Sequence, residues 1–210
     1  MDERRGFSPN DEVERIRYSA KAQLRSKMRA LRGHLPDRAR EARSKSICDT
    51  VVQLPCFIRA RSVIGYVAIL KEVDPEPILK IAFKCGKTVG LPRVDQQNQM
   101  LAIHRWSQGE PLIKSAFGVK EPFASAPLIE PSQIDLVLVP ALAFDPRGYR
   151  IGYGKGFYDR LLGSLSGAKA VGIAYDFQLI IEAPNTAGDL PVSVIVTDQR
   201  TLLVDRVDTI

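Results

Sequence analysis

Three cysteines, two histidines and one tryptophan are all that 210 residues hold of those types, and each shortage removes a class of chemistry. Cys48, Cys56 and Cys85 form no CxxC pair, and an odd number cannot close into a disulfide framework. The thiols are therefore expected to stay reduced, as in a cytoplasm. His34 and His104 lie far apart in the chain, which argues against both a zinc cluster and a Ser-His-Asp arrangement. No apolar run approaches the ~20 residues of a membrane span. The opening Met1-Asp-Glu-Arg-Arg5 is charged where a secretory leader turns apolar. Internal repeats, low-complexity tracts and linkers are also missing.

What is present suits one domain. A chain of 210 residues that is 45% apolar has ample material for a single core. Residues 1–11 are polar and expected to form a loose tail, leaving 12–210 as the domain. The net charge of +6 is unevenly placed: residues 1–61 hold 15 Lys+Arg against 8 Asp+Glu, and the remainder 15 against 16. A basic arm raises nucleic acid as a partner. Its aromatics are not interleaved as stacking platforms, however, and the acids within it suit amphipathic helices, so neither nucleic acid nor membrane is expected as a partner.

The most distinctive stretch runs from Ala143 to Leu162. It follows Ile134 to Ala141, an apolar run with the length and composition of a buried strand. It leads into a helical pattern in which Phe157, Leu161 and Leu165 share a face. Between them lie Gly148, Gly152, Gly154 and Gly156, interleaved with Arg147, Arg150 and Lys155. A backbone so poor in side chains can bend until its N–H groups converge, and the following helix adds its own unpaired N–H groups and positive dipole end. Such a turn binds anions, phosphates above all. The spacing fits neither a Walker loop nor a dinucleotide fingerprint, whose third glycine would fall at Phe157. Asp159, just inside the helix, is an acid beside an anion site, and a bridging Mg²⁺ would account for it.

Elsewhere, helical and extended patterns alternate. A helix is expected from about Glu12 to Arg32, with Leu24, Met28, Leu31 and Leu35 as its apolar stripe. Lys21, Arg25, Arg29 and Arg32 line a neighbouring face, either solvated or, for Lys21 and Arg25, reaching towards a polyphosphate. Asp37 is expected to cap a second helix running to about Leu54. Ser62 to Leu70 suits a strand, and Asp74 with Pro75 the start of a helix that Gly86 closes. Glu72 then sits beyond the carboxyl end of a strand, where open α/β sheets place ligand-binding groups. Thr88–Leu91, Met100–Trp106 at an edge, Ala170–Ala174 and Val192–Val196 are further strands, with a short helix or turn at Gln178–Pro184. Gly109–Pro131 suits a long ordered loop over the sheet edge. The expected fold is α/β: a single-domain three-layer sandwich with a largely parallel open sheet and helices on both faces.

Taken in order, several of these segments resemble the 5-formyltetrahydrofolate cyclo-ligase family, from about Lys21 to Asp198. They are Lys21-Ala-Gln-Leu-Arg25, Glu72-Val-Asp74, Leu91-Pro-Arg93, Phe117-Gly-Val-Lys-Glu-Pro122, Asp135-Leu-Val-Leu-Val-Pro140, the long glycine motif to Asp159, and Gln178. The resemblance implies an ATP-dependent, Mg²⁺-requiring ring closure of 5-formyltetrahydrofolate to 5,10-methenyltetrahydrofolate, with small-molecule substrates and a monomeric or dimeric enzyme. It implies ATP contacts from Lys21, Arg25, Phe117 and the stretch Arg150, Ile151, Gly152, Tyr153, Gly154, Lys155, Gly156, Phe157 and Tyr158. It implies folate contacts from Val67, Glu72, Tyr153 and Phe157, catalytic roles for Lys155, Arg150 and Tyr153, and Asp159 with Asp189 at the metal.

One segment departs from the family pattern. Where the family usually has Leu-Pro-x-Glu-x-His/Asn-Asp, this chain has Ala183-Pro-Asn-Thr-Ala-Gly-Asp189, so Thr186 and Gly188 replace polar groups expected beside the metal. That departure motivates the rival expectation of a homologue that binds nucleotide or folate without turnover.

Overall fold

The computed structural model describes residues 9–115 and 118–204. The elements follow in the order α1 (Pro9–Gly33), α2 (Asp37–Val51), α3 (Pro55–Arg59), β1 (Ser62–Ile64), α4 (Glu76–Lys84), β2 (Thr88–Asp95), β3 (Met100–Arg105), β4 (Ile113–Lys114), β5 (Lys120–Glu121), β6 (Leu136–Pro140), β7 (Ala143–Phe144), β8 (Arg150–Ile151), α5 (Phe157–Ser164), β9 (Lys169–Ile173), β10 (Val194–Val196) and β11 (Thr201–Leu203). The main sheet has seven strands in the order β11-β10-β9-β6-β1-β2-β3. Strands β10, β9, β6, β1 and β2 run parallel, and an antiparallel strand closes each edge.

Alternation along the central strands divides the core into two layers. Val63, Leu136, Leu138, Val171, Val194 and Val196 face one side, where they meet Ile47 and Val51 of α2, Phe57 of α3, and Ile78, Leu79 and Ala82 of α4. Ile64, Val137, Val139, Ala170 and Ile195 face the other, against Leu161 of α5 and the loop residue Ile129. This is the expected three-layer α/β sandwich. The order in which strands are added also reverses at its centre. From β1 the chain crosses through α4 to β2 on one side, whereas β6, on the other side of β1, leads through α5 to β9. The carboxyl ends of β1 and β6 therefore flank the topological switch point, where open α/β sheets form their binding crevice.

Several boundaries differ from the sequence pattern for local reasons. Helix α1 starts at Pro9, so residues 9–11 are its first turn and not part of a tail. Residues 1–8 lie outside the described residues. Asp37 is the first residue of α2, with Pro36 at the cap position, and α2 ends at Val51. Asp74 does accept the Glu76 N–H at 3.0 Å, but α4 itself starts at Glu76. The strand expected over Ser62–Leu70 pairs only through Ile64, because the chain then leaves the sheet for a turn in which Leu70 (φ 47°) and Lys71 (φ 59°) are both left-handed. Strand β2 continues through Pro92. The Gly90 carbonyl accepts from Gly65 on the β1 side, so the Pro92 nitrogen, two residues on, faces the same way beyond the end of β1. The 109–131 segment covers the β3 edge as expected, Ile129 donating to the Ile103 carbonyl and Arg105 to that of Pro127.

Gly172 in β9 lies beneath the buried Phe144 ring, and a Cβ there would come within 2.7 Å of it. Gly172→Ala is expected to lower stability by about 1–3 kcal/mol through overpacking. Urea unfolding should show a lower midpoint at unchanged m.

Candidate active site

Two segments converge at the switch point. The first is the turn after β1. Glu72 donates its N–H to the Ile69 carbonyl at 2.9 Å, and its Oε2 accepts the Ile69 N–H at 3.0 Å. These bonds stabilise the two left-handed residues between them and turn the carboxylate inward, where it is 4% exposed. The second segment follows β6. Strands β7 and β8 form a short hairpin held by Asp145, whose fully buried carboxylate accepts N–H groups from Arg147, Tyr149 and Ala183 and pairs with the Arg147 guanidinium. The glycine turn leaves this hairpin, with Gly154 at φ 95° and Gly156 at φ 66°, and enters α5 at Phe157.

Helix α1 packs across both segments, with Met28 in a small core with Leu142, Ala143, Ile151 and Ala183. The face it turns inward is cationic. Lys21 Nζ donates to Asp189 Oδ2, and Arg25 Nε donates to the Gly152 carbonyl at 2.9 Å. The Arg25 guanidinium lies against Gly154, where a Cβ would come within 3.4 Å of it. Arg32, 1% exposed, donates to the Leu70 carbonyl at 2.9 Å, the Ala141 carbonyl at 3.3 Å and the Tyr153 hydroxyl, and lies 3.8 Å from Glu72 Oε1. The Tyr153 hydroxyl in turn donates to Glu72 Oε1 at 2.7 Å. Burial raises the Glu72 carboxyl above its ordinary value, against the lowering effect of Tyr153, Ile69 and Arg32.

Arg32 is the residue the sequence pattern missed. Choosing the most apolar stripe placed Leu31 in the core and Arg32 in a neighbouring polar face, but Leu31 is 46% exposed and Arg32 is buried. The signal was in the spacing. Lys21, Arg25, Met28, Arg32 and Leu35 recur at intervals of four and three, which is one face of a helix whatever the polarity of its members.

The other expected site residues fall into distinct environments. Arg150 is buried and spans the Leu190 carbonyl at 2.7 Å and Asp159 Oδ1 at 2.6 Å. Ile151 belongs to the small core beneath α1, and Tyr158 packs against the core beneath α5, where burial raises its phenol well above the ordinary value. Ile151 faces the core, leaving only its backbone to meet a ligand, whereas Tyr158 is half-buried. Lys155 is exposed, and its carbonyl accepts from Arg160, whose guanidinium lies over the Phe157 ring. Val67 is half-buried against the core of the α2–α4 layer. Phe117 lies outside the described residues.

The two acids expected at a metal lie close together, the Leu190 N–H donating to Asp159 at 3.2 Å, but each is also paired with a cation. Among the described residues, no group of three or more His, Cys, Asp or Glu could hold a metal. Such a donor set does not suit a resident ion. It suits a Mg²⁺ that enters with a nucleotide, since that ion commonly takes one or two carboxylates and completes its shell with phosphate oxygens and water. Thr186 does not leave its acid unsupported: both its N–H, at 2.7 Å, and its hydroxyl, at 3.1 Å, donate to Asp189.

A profile of the 5-formyltetrahydrofolate cyclo-ligase family matches residues 17–198. The 5-formyltetrahydrofolate cyclo-ligase of Mycolicibacterium smegmatis is 30% identical over 193 residues, covering 89% of this chain and 98% of that protein. The protein of that name from Escherichia coli K12 is 29% identical over 182 residues, covering 84% and 97%. Among solved structures, the 5,10-methenyltetrahydrofolate synthetase of Aquifex aeolicus superposes with a TM-score of 0.79 at 33% identity, over 90% of this chain and 95% of its own.

Burial works against ionisation of Asp189, yet the Lys21 ammonium and Thr186 hold its carboxyl below the ordinary value of 3.8. A carboxyl held low contributes stability only while ionised, so the contribution is present at neutral pH and lost as pH falls through the depressed value. Asp189→Asn is expected to cost about 1 kcal/mol at neutral pH, the deficit closing as pH drops below the ordinary value. Urea titrations across that range measure it.

Proposed function

The chain belongs to the 5-formyltetrahydrofolate cyclo-ligase family, and on that premise we propose that it closes 5-formyltetrahydrofolate to 5,10-methenyltetrahydrofolate, with ATP converted to ADP and phosphate. The observation that carries this reading is the Tyr153–Glu72 hydrogen bond of 2.7 Å, which joins a buried acid suited to a pterin to a glycine turn suited to phosphates. Phosphoryl transfer needs positioning and charge neutralisation more than a covalent nucleophile. The chemistry of this site is of that kind: cations, backbone donors and carboxylates.

In the reaction, the formyl oxygen attacks the γ-phosphorus and the bond to the β-bridging oxygen breaks, releasing ADP. The N10 nitrogen then adds to the activated formyl carbon and loses its proton, and the carbon–oxygen bond breaks to release phosphate. Lys21 and Arg25 are assigned to the triphosphate, which would replace Asp189 and the Gly152 carbonyl as their partners. Gly154 and Gly156, both at positive φ, leave the backbone N–H groups of the turn and of the α5 start able to converge on the phosphates. Glu72 is assigned to the amino edge of the pterin, where a carboxylate can face two donors. Asp159 and Asp189 are assigned to hold a nucleotide-borne Mg²⁺, which would offset the phosphate charge.

Among the described residues no helix is long and apolar enough to cross a membrane. Cys48, Cys56 and Cys85 are all free, which supports assignment to a reducing cytoplasm.

Purified protein given Mg²⁺ and 5-formyltetrahydrofolate should show growth of the methenyl product's absorbance only when ATP is added, matched by ADP release; no ATP-dependent growth would refute the activity. Lys21→Ala should raise the KM for ATP more than that for the folate. Glu72→Ala should do the reverse, by roughly tenfold or more. An unchanged folate KM in Glu72→Ala would end the assignment of the pterin to that acid.

A further inference from the structure

Arg32 has no part in the assignments above, yet it touches both segments that carry the site. Its Nε holds the Leu70 carbonyl, in the turn that bears Glu72, and its Nη1 holds the Ala141 carbonyl, between β6 and β7 on the way to the glycine turn. Its Nη2 donates to the Tyr153 hydroxyl, within the glycine turn itself. One guanidinium thus fixes the spacing of the acid and the phosphate loop, and its backbone bond braces a turn with two consecutive left-handed residues other than glycine.

The polarity of this chain of bonds is forced. Arginine donates through all its N–H groups and accepts through none. The Tyr153 oxygen therefore accepts from Arg32, and its single proton must point at Glu72 Oε1. With the Ile69 N–H on Oε2, both oxygens of Glu72 face donors, which favours the ionised carboxylate that could receive a substrate's N–H groups.

We propose that Arg32 is a positioning residue for the ring closure: it orders the Tyr153 proton towards Glu72 and locks the acid's turn to the glycine turn. The proposal rests on the cyclo-ligase reading only for its consequence in turnover. The charged and titratable groups acting on Glu72 are Arg32 from α1, Tyr153 from the glycine turn, Tyr66 from the chain following β1 and Tyr158 from α5. Of these, Arg32 is the one cation.

Two substitutions in the full chain test it. Arg32→Gln keeps amide donors for the backbone carbonyls but removes the charge and introduces an acceptor, so the Tyr153 proton is free to turn away from Glu72. Arg32→Lys keeps a donor-only cation. In protein carrying ¹³C at the glutamate carboxyls, Arg32→Gln should move the Glu72 titration midpoint to higher pH, and Arg32→Lys should return it towards wild type. The folate KM should rise about tenfold or more in Arg32→Gln, as for loss of a charge-assisted hydrogen bond, with the KM for ATP changing less than about threefold. Arg32→Lys should recover most of the folate affinity.

A folded Arg32→Gln protein with a wild-type Glu72 titration and folate KM would overturn the proposal, as would an Arg32→Lys protein no better than Arg32→Gln. Should Arg32→Gln fail to fold, Tyr153→Phe decides: a raised folate KM supports the hydrogen-bond order, and an unchanged one refutes it. A wild-type protein without turnover would refute the cyclo-ligase reading, while the carboxyl titration would still decide the role of Arg32.

Discussion

The architecture of the site depends on the cations along the inner face of α1, above all the buried Arg32. Taking a guanidinium out of water costs several kcal/mol unless its donors are met, and Arg32 meets that requirement with two backbone carbonyls, a phenol and a nearby carboxylate. The same contacts clamp α1 across the carboxyl ends of β1 and β6. Without that clamp, only the Tyr153–Glu72 bond and the sheet would join the turn bearing Glu72 to the glycine turn. With it, they form one hydrogen-bonded unit at the switch point, and the remaining charges arrange themselves around that unit: Lys21 on Asp189, Arg150 on Asp159, Arg25 against Gly154.

Much of the fold was legible because buried parallel strands are written as apolar runs, and β6, β9 and β10 were found on that signal. Strands set by tertiary pairing were not. The β7–β8 hairpin contributes two residues per strand, too few for a period, and is held by Asp145 accepting N–H groups from residues as distant as Ala183. The edge strand β11 is likewise defined by its partner β10 and by little in its own sequence. The strand expected to run to Leu70 stops at Ile64 because hydrophobicity reports burial, and residues such as Tyr66 are buried in the turn that leads away from the sheet.

The candidate site was legible as chemistry but not as geometry. Glycines and cations in sequence suggested an anion site, and Glu72 suggested a ligand at a strand end, but the bond between them spans 81 residues and no local pattern encodes it. Arg32 was obscured for a different reason. Periodicity scored by hydrophobicity discards a charged residue on a buried face, although a functional site is where such a residue is expected. Charges within the site are met internally, cation to acid and cation to carbonyl. Such preorganisation suits phosphoryl transfer, where charge must be met without reorganisation.

The most direct measurement is a crystal structure with a non-hydrolysable ATP analogue and 5-formyltetrahydrofolate bound together. The γ-phosphate is expected on the backbone N–H groups between Gly152 and Phe157, the pterin's amino edge on Glu72, and the formyl oxygen about 3–3.5 Å from the γ-phosphorus, the separation of a near-attack geometry. A triphosphate bound away from the glycine turn, or a pterin bound away from Glu72, would contradict it.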